Sequence, residues 1–145
     1  MLRICRLFFI VLLASLPAGA FDPSPEGMWR TIDDTTHKTR GLIRLYEQDG
    51  AVFGKVEASF DPKEANEICE RCSDDRKNKR VVGMVVMRNM RKHGSEYRDG
   101  DILDPDTGLI YSCRFRLEDG GRKLVVRGFI GISLLGRSQV WLRQE

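Results

Sequence analysis

The stretch TRGLIRLYEQDGAVFGKVEASF, residues 39–60, constrains the fold more than any other feature of the chain. Two runs rich in Leu, Ile, Val, Tyr and Phe flank Asp49-Gly50, a dipeptide that tolerates the positive φ a tight hairpin turn requires. The same grammar recurs. DPDTG at 104–108 places a Pro and a Gly where a turn uses them, and EDGGR at 118–122 supplies positive φ twice. Helical periodicity is scarce, so residues 27–33, 39–47, 51–60, 81–88, 99–103, 109–117, 122–130 and 137–143 read as strands. Strands joined by short turns make an antiparallel meander. Eight of them in a small domain do best to close into a barrel, because closure removes the edges that template aggregation. Gly54, Gly83, Gly100 and Gly128, in or beside strands, ease the bends that closure demands. The fold class is all-β: an antiparallel eight-stranded meander closed into a barrel.

The first twenty residues stand apart from this pattern. Arg3 and Arg6 form a positive n-region, Leu7 to Leu16 an apolar segment, and Ala18-Gly19-Ala20 a small-residue cleavage site, so residues 1–20 read as a signal peptide cleaved after Ala20. A periplasmic or secreted protein follows. The apolar segment is too short for a membrane span, and no later stretch approaches the ~18 apolar residues a spanning helix needs, so stable membrane insertion is not expected. Residues 21–145 suffice for one domain. Losing two arginines lowers the formal charge of the 145-residue chain from +3 to +1, with both signs interspersed, which gives no footprint for nucleic acid.

Residues 61–80, DPKEANEICERCSDDRKNKR, do not fit the meander. A charged loop of that length is either functional or stapled, and one helical turn is expected from Glu64 to Cys69. Its CERC motif, Cys69 to Cys72, admits a local disulfide, redox chemistry or metal binding. An oxidising compartment favours the disulfide. No second Cys pair and no nearby His support a metal site, and no metal or cofactor is assigned. Cys113 alternates with Leu109, Tyr111, Phe115 and Leu117 on one face of a strand, which turns its thiol inward, free and unreactive.

Catalytic patterns are thin: no nucleophile elbow and no glycine-rich phosphate cradle occur, and His37 and His93 fall in loops. Asp33, Asp34, Asp104 and Asp106 would form a carboxylate cluster if their loops met at one barrel end, though turn-forming acids account for them as well. No enzyme is compelled. The inward face is the remaining seat of function, since eight strands enclose either a filled core or one small ligand. Tyr46, Phe53, Tyr111 and Phe115 are the candidate ligand-binding aromatics, with Phe129 also placed inward. Arg127 interrupts an apolar strand, so it points either outward into water or inward as a buried cation needing an anion.

Gly27-Met28-Trp29 at the start of the first strand resembles the Gly-x-Trp signature of lipocalins, in which the Trp plugs the closed base of the barrel. GMWRTIDD, LYEQDGAVFGKV, the CERC loop, VVGMVVM, DGDILDPDTGLIY and VRGFIGISLLGRSQVWLR together resemble the bacterial domain of unknown function 2147 from Gly27 to the end. That resemblance implies an exported, lipocalin-like barrel with a cavity for a small apolar or amphipathic molecule. It carries over no catalytic residues. One departure is His37, near which the family tends to have Gly.

The resulting expectation is an exported binding protein for a small hydrophobic or amphipathic, fatty-acid-like ligand. The alternative is a filled barrel whose charged loop 61–80 docks another envelope or secreted protein. A redox role for Cys69 and Cys72 remains a third.

Overall fold

Side chains alternate between two environments along each strand, as period-two geometry requires. Between Gly41 and Tyr46, for example, Gly41, Ile43 and Leu45 are buried while Leu42 and Tyr46 are half-buried and Arg44 is exposed. The computed structural model describes residues 23–145, and the signal-peptide assignment lies outside the described residues. The strands are β1 (Gly27–Ile32), β2 (Thr39–Gln48), β3 (Ala51–Ser59), β4 (Val85–His93), β5 (Glu96–Leu103), β6 (Ile110–Glu118), β7 (Lys123–Phe129) and β8 (Gly136–Arg143). Each pairs antiparallel with the next, and β8 returns to β1 through Trp29↔Arg143 and Arg30↔Leu142, so the sheet closes as a barrel. The expected meander and closure are both present.

Turn chemistry places the hairpins where the sequence puts them. Asp49 and Gly50 have φ of 53° and 74°, the two positive values a tight hairpin needs. At 104–108 the Asp104 carboxylate accepts from Asp106 N (3.0 Å) and Thr107 Oγ1 (3.0 Å). The next turn is tighter than expected, with Asp119, Gly120 and Gly121 all at positive φ.

Two strands require correction: β4 runs from Val85 to His93 rather than 81–88, and β5 begins at Glu96 rather than 99. The cause is a pair of bulges. Asn89 and Asp99 sit in the left-handed region (φ 60° and 68°), so Met87 and Met90, three apart, are both fully buried. This break in alternation hides the strands from a period-two reading. Gly100 is required there, because a Cβ would overlap the Arg88 carbonyl oxygen and lie 2.5 Å from Met90 Sδ. Of the other strand glycines, Gly54 points into the barrel against Leu45 and Met87, and Gly128 against Tyr111.

The loop between β3 and β4 is folded rather than free. Ile68 and Arg80 form a β-bridge, and Cys69 and Cys72 are joined in a disulfide with both residues 1% exposed. The expected helical turn at Glu64 is displaced: Glu64 N and Ala65 N both donate to Asp61 O, and the chain is extended by Ile68. Arg76, 2% exposed, anchors the loop to β4 by donating to the Asp74 carboxylate (2.7 Å) and to the carbonyls of Val85 (3.1 Å) and Val86 (3.4 Å). Burial raises the neighbouring Asp101 carboxyl above its ordinary pKa, against the pull of Arg76. Arg88 and Asp75 add a two-pronged ion pair (2.9 Å each), which holds the exposed Asp75 carboxyl down at about 2.

The core fills one end of the barrel. Trp29, Leu45, Val52, Met90, Phe115 and Leu124 are buried together, with Tyr97 stacked on Phe115 at 4.6 Å between ring centroids. Cys113 is buried and unpaired, and burial pushes its thiol up to about 12. Trp29 is fully buried and donates from Nε1 to Pro25 O (2.8 Å). The Arg143 guanidinium lies over its ring, 4.3 Å from the centroid, and donates to Gly121 O (2.7 Å), Glu26 O (2.8 Å) and Ser24 O (2.6 Å). Burial lowers the pKa of Arg143, and the three carbonyls offset that desolvation. The expected base plug at Gly27 and Trp29 thus sits at the end where β1 begins and β8 finishes, and Arg143 covers it.

Replacing Arg143 by Lys keeps the charge but loses the fork that reaches three carbonyls. Urea denaturation is expected to show a loss of about 1–2 kcal/mol, whereas Arg137→Lys at an exposed ion pair costs under about 0.5 kcal/mol. Equal effects would contradict the clamp. His37 occupies the left-handed region (φ 56°) in the β1–β2 turn. His37→Gly is expected to raise stability by about 0.5–1 kcal/mol in the same assay, and a lower midpoint would refute a strained turn.

Candidate functional site

The barrel half opposite Trp29 is not filled. β1 and β8 present Thr31 and Gln139 there, β2 and β3 present Ile43 and Val56, and β6 and β7 present Tyr111, Val126 and Gly128. Inward side chains are therefore large toward the base and small or branched toward the other end. A cavity of about 810 Å³ results, within the size range of small-molecule sites. Its walls are completed by Val86, Ile102, Leu103 and Trp141. The polar groups within are few: Tyr111, Thr31 and Gln139, whose Oε1 accepts from Trp141 Nε1 at 3.4 Å.

Four connections surround the mouth: 33–38, 60–84, 104–109 and 130–135. Among the described residues lining the cavity, they bring Asp33, Asp34, Glu64, Glu67, Asp104 and Asp106 to the rim, where the strand ends add two cations, Arg40 and Arg137. Arg40 bridges Glu64 (2.9 Å) and Asp106 (2.7 Å), and these contacts, Glu64 first, raise its pKa. Arg137 pairs with Asp34. Asp33 accepts from Thr36 N (2.6 Å) and Oγ1 (2.8 Å) and from Thr35 N (3.0 Å), which lowers its pKa. Glu67 goes the other way: burial, then the nearby Asp106 and Glu64 charges, raise its pKa. The two acidic turns thus do meet at one end, but each carboxylate of the four already shapes a turn or pairs with an arginine. Among the described residues no group of three or more His, Cys, Asp or Glu side chains is placed to hold a metal ion.

The candidate ligand residues are distributed unevenly. Tyr111 lines the cavity. Phe115 lies in the packed floor beneath it, 1% exposed. Tyr46 and Phe53 are corrected: they are cross-strand partners on the outer face, stacked at 5.8 Å, while their neighbours Leu45 and Val52 point inward. Arg127 is also corrected. It points outward and donates to Ser133 O (2.7 Å), Leu134 O (3.3 Å) and Ser138 Oγ (3.0 Å), so it clamps the 130–135 connection instead of facing the cavity. Phe129 stands at the rim, and Leu109, expected inward, is 49% exposed ahead of β6.

The aliphatic wall was missed because aromatic residues were chosen over strand parity. Counting outward from Asp49-Gly50, parity alone puts Tyr46 and Phe53 on one face and Ile43, Leu45, Val52 and Val56 on the other. Trp141 and Gln139 follow from the same rule in β8. Part of the charge of loop 61–80 is spent internally, in the Arg76–Asp74, Arg88–Asp75 and Arg80–Asn66 contacts and in Arg71 donating to Asp106 O (3.1 Å).

A Helicobacter pylori protein whose structure is described as belonging to the lipocalin family is similar to this chain, with a TM-score of 0.73 and 16% identity over 84% of each chain. That likeness shows the fold, a lipocalin-like closed barrel. Comparison with curated proteins gave no match. A family model matches residues 27–143, from the strand that carries Trp29 to the arginine that covers it. The chain belongs to the bacterial family described as "Uncharacterized protein conserved in bacteria (DUF2147)".

Proposed function

We propose that this protein binds one small amphipathic molecule, its apolar chain held in the barrel and its polar end at the mouth. The observation that carries this reading is the cavity of about 810 Å³, walled by branched aliphatic side chains above a packed floor. Ten methylenes buried there would contribute about 8 kcal/mol before the association cost. The rim selects the polar end. Six carboxylates against two arginines, both already paired, disfavour a fatty-acid carboxylate and favour an uncharged or cationic head on a fatty-acid-like chain.

This reading makes the protein a carrier rather than a catalyst. The Cys69–Cys72 bridge is then a staple of the loop, since both sulfurs are buried from the thiols with which a redox disulfide must exchange. A stable disulfide also supports export to an oxidising compartment. No observation of its own favours docking through the loop 61–80.

Trp141 in the cavity wall reports binding by fluorescence. Single-chain lipids with alcohol or amine heads are expected to change its emission at lower concentration than the fatty acid of equal length. Gly128→Leu, which projects into the cavity, is expected to weaken binding about tenfold, and Tyr46→Ala and Phe53→Ala to leave it unchanged. Full-strength binding by the Gly128→Leu protein would exclude the barrel interior as the site, and a preference for the fatty acid would exclude the rim as the selector.

A further inference from the structure

The connection 130–135 reads Ile-Gly-Ile-Ser-Leu-Leu, with no charge and no proline. Its four large side chains are bare: Ile130 and Ile132 are 60% exposed, Leu134 83% and Leu135 71%. Leu109 and Ile110, on the neighbouring connection and the start of β6, are exposed beside it. Among the described residues only Val140 of the exposed large apolar side chains lies on the barrel wall; the rest belong to connections or strand ends at the mouth. Such one-sided exposure marks an interaction surface rather than ordinary surface scatter.

The connection is not loose. Arg127 holds its backbone through Ser133 O and Leu134 O, and Leu135 N donates to Ile132 O (3.1 Å), so the side chains are presented outward from a fixed frame. Six residues fall far short of the ~20–30 residues a side that a stable protein interface uses, whereas a few inserted aliphatic side chains suffice for reversible attachment to lipid. The charge around them narrows the surface further. The carboxylates at the rim would be repelled by an anionic membrane but complement the ammonium groups outermost on a zwitterionic one.

We infer that the mouth of the barrel docks reversibly on a zwitterionic lipid surface, with Leu134 and Leu135 entering the headgroup boundary. Ile130, Leu134 and Leu135 also line the cavity entrance, so a docked barrel faces the acyl region directly. The docking rests on the cavity reading only in what the docked state exchanges.

The test is flotation of the disulfide-intact protein with phosphatidylcholine vesicles. The protein is expected to float with them, and added phosphatidylglycerol to reduce the bound fraction. The L134D/L135D double variant, changed only at exposed positions, is expected to partition about tenfold less or weaker still while keeping its circular dichroism. Gly128→Leu is expected to float normally, which separates failure of the docking from failure of the cavity reading. The inference is overturned if the native protein stays unbound, if phosphatidylglycerol strengthens binding, or if sedimentation velocity shows a dimer that L134D/L135D abolishes.

Discussion

Closure of β8 onto β1 is the constraint on which the rest depends. A meander of eight strands leaves two edges unless the last meets the first, and here Trp29↔Arg143 and Arg30↔Leu142 make that junction, with Gln144 N donating to Met28 O (2.8 Å) just beyond them. So short a seam needs reinforcement from side chains. Arg143 provides it by lying over the Trp29 ring while binding carbonyls of the segment before β1 and of the β6–β7 turn. One residue therefore ties both ends of the described chain and the base of the barrel into a single unit.

Sealing one end decides where the empty space lies. Bulky inward residues, Trp29, Met90, Tyr97 and Phe115, are buried together and fill the cross-section near the base. Toward the other end the inward positions are Gly41, Ile43, Val56, Val126 and Gly128, whose volumes cannot meet across an eight-stranded barrel. The two expectations of a filled barrel and a hollow one are thus each right for half of the molecule. Phe115, a candidate for ligand contact, belongs to the filled half, and Tyr111, four residues earlier on the same face, belongs to the hollow one.

Much of this was legible in the sequence, and the failures have definite physical origins. Asp49-Gly50 and DPDTG announced their turns because positive φ and side-chain capping are local properties. The base plug was legible as Gly27 and Trp29, but its partner Arg143 lies over a hundred residues away and carries no local signal. Bulges at Asn89 and Asp99 shortened β4 and β5 in the reading by shifting parity within each strand. Tyr46 and Phe53 were misplaced for the opposite reason, since an unbroken parity was available there and aromatic character outweighed it. Arg127 was readable as outward, though not its role, because its partners are backbone carbonyls that any sequence would offer.

The mouth shows how charge and apolar surface can be built side by side without cancelling. Its carboxylates sit on the 33–38, 60–84 and 104–109 connections, where Asp33 and Asp104 cap turns and Arg40 ties two of the three connections together. The aliphatic side chains are confined to 130–135 and its border with β6, and that connection is held by Arg127 from the outer wall. Arg76 serves the long loop in the same way, by satisfying carbonyls of β4 from a buried position. In each case an arginine joins a connection to the barrel wall through backbone oxygens, and on 130–135 this leaves the aliphatic side chains presented outward. That division sets carboxylates on one arc of the rim and aliphatic side chains on another, around a single cavity that both arcs line.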